Sequence, residues 1–187
     1  MPRTSPARDR LLATAAQIFY REGIHAVGVD RLVTEAGVTR ATFYKHFPSK
    51  DDLVRAYVEL EDAALRRLFA DGAAQADDPS ELLGVVIDGV ALDVEHHHTR
   101  GCPFINAAAE FPDPEHPVRV AVRAHRDWFE ATLVGAAEAA GVDDPAGVGR
   151  SLVLLRDAAL VGSYLDGPAV AVPSFRSTAR RLAGLGS

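Results

Sequence analysis

Apolar residues recur every three or four positions along almost the whole chain, and no run alternates β-branched with polar residues as a half-buried strand would. That period restricts the fold to packed helices, so an all-α protein is expected. Glycine and proline set the helix ends. "SPARDRLLATAAQIFYRE" puts Ser5 ahead of Pro6 as a start, carries Leu11, Leu12, Ala15, Ile18 and Phe19 on one stripe, and stops before Gly23. A second helix is expected over about Val29 to Ala36 and a third over about Arg40 to Phe47, while Ser49 with Asp52 opens a fourth that runs to about Ala74.

After a turn around Ala76 to Asp78, the residues Asp78, Pro79 and Glu81 begin a fifth helix. The proline-rich "RGCPFINAAAEFPDPEHP" leaves room for a short sixth, about Phe104 to Glu110. A seventh spans about Glu115 to Ala140, Asp144 and Pro145 open an eighth to about Asp166, and a ninth lies near Ser174 to Leu185. A chain of 187 residues, 48% apolar and 25% charged, has the material for a buried core without covalent staples. Its single cysteine, Cys102, excludes an intramolecular disulfide and a multi-thiolate metal site. No stretch approaches the ~18 apolar residues of a membrane span, and "MPRTSPARDR" lacks the apolar core of a signal peptide, so a cytoplasmic protein without membrane contact is expected.

The net charge of -6 hides an asymmetry. Residues 1–55 hold nine Lys/Arg against six Asp/Glu, a net +3, which leaves -9 for the remainder. A basic head on an acidic body suggests a polyanionic partner for the head alone. Within that head the two short helices joined by "AGVT" form a helix-turn-helix candidate, whose second helix would enter the major groove. Gly37 permits the tight turn. Phe43 and Phe47, four residues apart, can pack inward, which leaves Arg40, Thr42, Tyr44 and Lys45 facing outward. Arg40 or Lys45 could give guanine a bidentate pair, and Ala41 could meet a thymine methyl.

"GVGVDRLVTEAGVTRATFYKHFPSKDDLVRAYV" resembles the N-terminal DNA-binding domain of the TetR family of bacterial transcriptional regulators, in the "AGV" turn, the "TFYKHF" run and the "SKDDL" helix start. The resemblance covers about residues 7–57. It implies a three-helix DNA-binding domain over 1–50 and a helical effector-binding and dimerisation domain over 51–187, about nine helices in all. By position, Thr39 would cap the recognition helix and touch a phosphate, Arg40 and Thr42 would read bases, and Tyr44, His46 and Lys50 would clamp the DNA backbone. Arg31 would add a phosphate or base contact. For Tyr44 the alternative is a core aromatic; for Lys50 and Arg31 it is an ordinary solvated charge.

Val86, Val90, Phe104, Trp128 and Phe129, with Asn106, His125 and Asp157 as polar groups, are candidates to line an effector cavity, although core packing explains the same residues. The eighth helix is apolar on more than one face, so Leu152, Leu155, Leu160 and Tyr164, with Phe175 and Leu182 of the ninth, are assigned to a homodimer interface. Asp93, His97 and Cys102 do not make a metal site in this reading: histidines at a helix C-terminus complement its dipole, and His96, His97 and His98 point in different directions. No metal or cofactor is expected. Cys102 is either an inert packer or a reactive sensor thiol. No nucleophile elbow or phosphate-binding loop occurs, and "GVGRSL" follows no strand. The expectation is a ligand-responsive repressor that binds a palindromic double-stranded operator as a homodimer and is released by a small molecule of unknown identity. A nonspecific architectural DNA binder is the alternative, and a helical enzyme a more distant one.

Overall fold

The computed structural model describes residues 5–76 and 78–186. Arg3, counted in the basic head, and Asp77, in the expected turn, lie outside the described residues. Nine α-helices occur among the described residues: α1 (Pro6–Glu22), α2 (Val29–Glu35), α3 (Arg40–His46), α4 (Lys50–Ala73), α5 (Leu82–His96), α6 (Pro103–Glu110), α7 (Pro117–Ala139), α8 (Pro145–Asp166) and α9 (Pro168–Leu182). Among these residues there is no strand, only an isolated bridge between Thr99 and Gly101.

Local chemistry sets most of the boundaries. Gly23, at φ 93°, ends α1, and its amide donates to the Phe19 carbonyl. The Ser49 hydroxyl caps the start of α4 by accepting from the Asp52 amide at 3.1 Å, and its own proton goes to the Asp52 carboxylate at 2.7 Å, which holds the hydroxyl in place. Asp144 caps α8 through the Gly147 amide. Two boundaries differ from the sequence expectation. Pro79–Glu81 form one 3-10 turn, and α5 begins after it at Leu82. Helix α9 begins at Pro168, six residues before the expected Ser174, because Gly167 at φ 92° turns the chain and Pro168 suits a first helical turn. Pro173 reads as a breaker in sequence, yet it sits inside α9. It lacks the amide that would reach the Ala169 carbonyl, and burial of its neighbours Val172 and Phe175 outweighs that loss.

The chain packs as two compact units, and neither is a continuous segment. The first comprises residues through Asp62 with Pro103–Arg123; the second comprises Ala63–Cys102 with Ala124 onward. In the first, α1, α2 and α3 pack on one another around Leu11, Ile18, Phe19, Leu32, Phe43 and Phe47, with Leu53, Val54 and Tyr57 of α4 in the same core. The Phe19 and Tyr57 rings meet edge to face at 5.9 Å. Truncating a fully enclosed ring such as Phe43 to alanine costs about 3–5 kcal/mol.

In the second unit α9 lies against α8 and α5, burying Leu83, Ile87, Leu152, Leu160, Phe175 and Ala179. Asp88 of α5 ties the pair together by accepting from Arg176 at 2.9 Å and Arg180 at 3.2 Å. Helix α8 approaches α7 so closely at Gly149 that a Cβ there would stand 2.5 Å from Val134 Cγ2 and 3.1 Å from the Val134 nitrogen. Gly149→Ala is therefore expected to overpack this crossing and cost about 1–3 kcal/mol. Thermal denaturation checks it: a lowered midpoint is predicted, and an unchanged one contradicts the close approach.

Candidate functional site

The turn before α3 is closed by backbone chemistry. Gly37 takes φ 62°, its amide donates to the Thr34 carbonyl, and the Val38 amide reaches back to the Val33 carbonyl at 3.0 Å. This double closure needs a left-handed residue where Gly37 stands. Thr39 then caps α3: its hydroxyl accepts from the Thr42 amide at 3.1 Å and lies 2.9 Å from the Thr42 hydroxyl. Phe43 and Phe47 are buried, which turns the other side of the helix outward. Thr39, Arg40, Ala41, Tyr44 and Lys45 are exposed there, with Thr42 and His46 half-buried. The Tyr44 ring stands edge-on to Phe43 at 5.1 Å, so its inner edge is packed while 48% of the residue faces solvent.

The basic residues are not equivalent. Arg40 Nε pairs with Asp30 at 2.7 Å, with both side chains mostly in solvent. Such pairs are worth about 0–1 kcal/mol, so a phosphate or base edge can displace the carboxylate. Arg31 is more heavily engaged: its two terminal nitrogens donate to the two Glu22 oxygens at 3.1 Å, and its Nε donates to Glu35 at 3.3 Å. The hydrogen bond to Glu35 and the charge of Glu22 hold its pKa above the ordinary guanidinium value. With two carboxylates around one cation, Arg31 brings no net positive charge to a phosphate.

Lys50 also has work within the protein. Its Nζ donates to the Ile24 carbonyl at 2.7 Å and lies 5.9 Å over the Phe19 ring. Burial pushes the ammonium pKa down, against the opposing pull of Glu110 and Asp51. Lys50, expected from the resemblance to clamp the DNA backbone, joins the start of α4 to the α1–α2 turn. Surface lysine is the usual reading of such a residue because sequence does not show a carbonyl 26 positions away.

Sequence reading missed the residue that holds the other side of that turn. Glu110, the last residue of α6, accepts from the Ile24 amide at 2.7 Å and the His25 amide at 2.5 Å, and its Oε2 lies 2.9 Å from His25 Nδ1. Gly23 has its would-be Cβ 3.4 Å from Glu110 Oε1. Burial pushes the Glu110 carboxyl up, but the amide bonds from Ile24 and His25 and the His25 ring outweigh it and hold the pKa below the ordinary value. Next to it the Phe111 ring lies between His25, at 5.0 Å, and His116, at 4.6 Å, and His116 Nε2 is 3.3 Å from Asp51.

In the second unit, six of the eight residues assigned to an effector cavity are present: Val86 and Val90 of α5, His125, Trp128 and Phe129 of α7, and Asp157 of α8. Phe104 and Asn106 belong to α6 and to the first unit. Phe69 meets Trp128 and Phe129 edge-on, each at 5.6 Å, and His125 stacks on Phe129. Asp157 accepts from Arg126 at 2.7 Å. Asp93 lies 2.9 Å from His98 Nε2 and 3.5 Å from His97 Nδ1. Burial pushes the Asp93 carboxyl up, but the His98 bond and the charges of His98, Arg156 and His97 hold it below the ordinary value.

Comparison with known proteins follows this geometry. Residues 11–57 match the family model described as bacterial regulatory proteins, tetR family, and residues 79–144 match a tetracyclin repressor-like C-terminal domain. An HTH-type transcriptional regulator of Mycobacterium tuberculosis is 30% identical over 148 residues, 79% of this chain and 70% of that protein. The regulator YxaF of Bacillus subtilis is 26% identical over 65% of each chain, so the chain spans about two thirds of the length of the curated relatives it matches. The crystal structure of SCO4454, a TetR-family transcriptional regulator from Streptomyces coelicolor, superposes with a TM-score of 0.90 at 40% identity, over 95% of this chain and 94% of that one.

Because the Glu110 carboxyl has a depressed pKa in the folded state, its contribution to stability is complete above its ordinary value near pH 4.5 and is lost as the pH falls through the depressed one. Glu110→Gln is expected to destabilise by about 1–3 kcal/mol at neutral pH, with the difference from the unaltered protein shrinking in acid. Urea denaturation over a descending pH series checks this. No difference at neutral pH, or one that does not shrink, contradicts the assignment.

Proposed function

The chain belongs to the TetR family of bacterial regulatory proteins and is a DNA-binding transcriptional regulator rather than an enzyme; from that premise we propose that it is a repressor, cytoplasmic, that binds a palindromic operator as a homodimer and leaves it when a small molecule binds the second unit. The observation that carries the DNA-binding part is the outward face of α3. Thr39, Arg40, Ala41, Thr42, Tyr44, Lys45 and His46 lie on one short helix whose entry is fixed by the Gly37 turn and whose inner side is anchored by Phe43. Arg40 and Thr42 are the proposed base readers; Thr39, Tyr44, Lys45 and His46 are the proposed phosphate contacts. Arg31 and Lys50 act behind them by holding the turn and α2 in place.

Dimerisation is proposed through α8 and α9, with a set of residues that keeps Tyr164 and Leu182 from the sequence reading and replaces the others. Leu152, Leu160 and Phe175 are enclosed in the protomer's own core and Leu155 is half-buried, so they have little surface left for a partner. The apolar residues that face solvent are Leu154 (66% exposed), Val161 and Leu165 (69% exposed), which follow each other at intervals of seven and four on one side of α8. Tyr164, Val170 and Leu182 are exposed as well. A patch of that kind is characteristic of an interaction surface. Helix α4 carries residues of both units along one continuous helix, which makes it the proposed carrier of an effector signal; the induction achievable is limited by the effector's differential affinity for the two states.

Selection of bound fragments from genomic DNA tests the reading. Recovered fragments are expected to share an inverted repeat with half-site centres ~34 Å or a multiple apart; fragments with no common sequence contradict it and favour an architectural role. On a recovered operator, Lys45→Ala should weaken binding and reduce the salt slope by about 0.9, and Arg40→Ala should relax base choice by about 1–3 kcal/mol. The double variant Leu154→Asp with Leu165→Asp should sediment as a monomer and lose operator affinity. A dimer that survives it places the interface elsewhere.

A further inference from the structure

The polar side chains buried among the described residues are Asp93, His125, Arg156 and Ser163, and all four belong to the second unit. The core around the reading helix contains none of them. Buried polar groups require partners, and a guanidinium cannot escape the requirement by losing its proton. Arg156 is 3% exposed. Its Nη1 faces the Cys102 sulfur at 3.8 Å, a weak acceptor, and stands 3.8 Å from Asp157 Oδ1, too far for a hydrogen bond. Its Nη2 has no hydrogen-bond partner, and neither has Asp157 Oδ1. The better-placed Asp157 oxygen, Oδ2, is committed to Arg126 at 2.7 Å, and Asp93 is engaged by His98 and His97.

Arg156 therefore sits within the field of two carboxylates without a two-pronged acceptor on its donor edge. The guanidinium carbon lies over the Phe129 ring, 4.9 Å from its centroid, a cation–π contact that holds the group beside the ring. Phe129 in turn meets Phe69 and is stacked by His125, and Trp128, with the Arg66 guanidinium 4.2 Å over its ring, continues the aromatic surface. A fork-shaped cation beside an apolar wall has the complementarity of a carboxylate attached to a hydrocarbon. A dianion such as a phosphate monoester would bring more negative charge toward Asp93 and Asp157 than a monoanion does.

We propose that Arg156 receives the carboxylate of an apolar monocarboxylic acid, with the hydrocarbon part against Phe129, Trp128 and Phe69. This rests on the reading of the second unit as the effector-binding part and names the chemical class of the effector. Trp128 is the only tryptophan in the chain, so its emission reports from the site itself. The probes are phenylacetate and octanoate, which separate an aromatic from an aliphatic body, each against its neutral amide.

With the full chain, at least one acid is expected to change Trp128 emission saturably and to bind roughly tenfold or more tightly than its amide. Arg156→Lys, which keeps the charge and removes the fork, is expected to weaken that acid by a similar factor and to leave the amide unchanged. Acids that bind no better than their amides, or no binding of either acid up to about 10 mM, overturn the proposal. So does an acid indifferent to Arg156→Lys in a variant that remains folded. If that variant does not fold, the acid and amide comparison on the unaltered protein decides. An acid that binds through Arg156 but leaves operator affinity unchanged supports this inference and counts against effector release. A neutral compound that frees the operator from both the unaltered and the Arg156→Lys protein upholds release and overturns the carboxylate.

Discussion

The peptide groups of Ile24 are held on both sides by charge. Its amide donates to Glu110 at the end of α6, and its carbonyl accepts from Lys50 at the start of α4. Its side chain is buried as well. The amides that follow α1 have no helical partner once Gly23 turns the chain, and an unsatisfied amide near the core costs about as much as a lost hydrogen bond. A carboxylate that takes two of them, from Ile24 and His25, removes that cost and fixes α6 to the turn. Charge-assisted bonds of this type are about twice as strong as neutral ones.

This constraint explains why α6 and the first residues of α7 group with the N-terminal helices. It also bears on the reading helix. Helix α3 has only seven residues, too few to be stable alone, so its position depends on α1, α2 and the turn between them. Phe43 and Phe47 supply the apolar anchor, Thr39 and Gly37 set the angle of entry, and Glu110 with Lys50 stops the supporting turn from opening. Arg40 and Lys45 can be presented to a duplex at a defined angle only while those supports hold.

What could be read from sequence was local. Gly37 and Thr39 lie within two residues of the turn they shape, Ser49 and Asp52 cap their own helix, and Phe43 and Phe47 share a face by helical period, so all were legible. The partners of Lys50 and Glu110 were not, since they lie 26 and about 85 positions away. Arg31 and Arg40 look like free cations in sequence and are paired with Glu22 and Asp30 across turns of the fold, Arg31 also with Glu35 one turn along its own helix. On α8 the period showed that more than one face is apolar but not which face meets α9. Leu160 is enclosed in the core, whereas Leu154 and Leu165 on the same helix are exposed. The ninth helix begins six residues earlier than expected, at Pro168, and runs through Pro173.

The two units divide the chemistry between them. The first has an apolar core and keeps its ions at the surface or on backbone groups; the second encloses Asp93 beside His98, and His125 and Arg156 against the Phe129 ring. The claim on which the first part stands is that Glu110 clamps the α1–α2 turn, and hydrogen exchange at the Ile24 and His25 amides tests it most directly. In the unaltered protein both amides should exchange slowly, and in Glu110→Gln they should speed up while the middle of α1 keeps its protection. Fast exchange at these amides in the unaltered protein, or rates that Glu110→Gln leaves unchanged, would contradict the clamp.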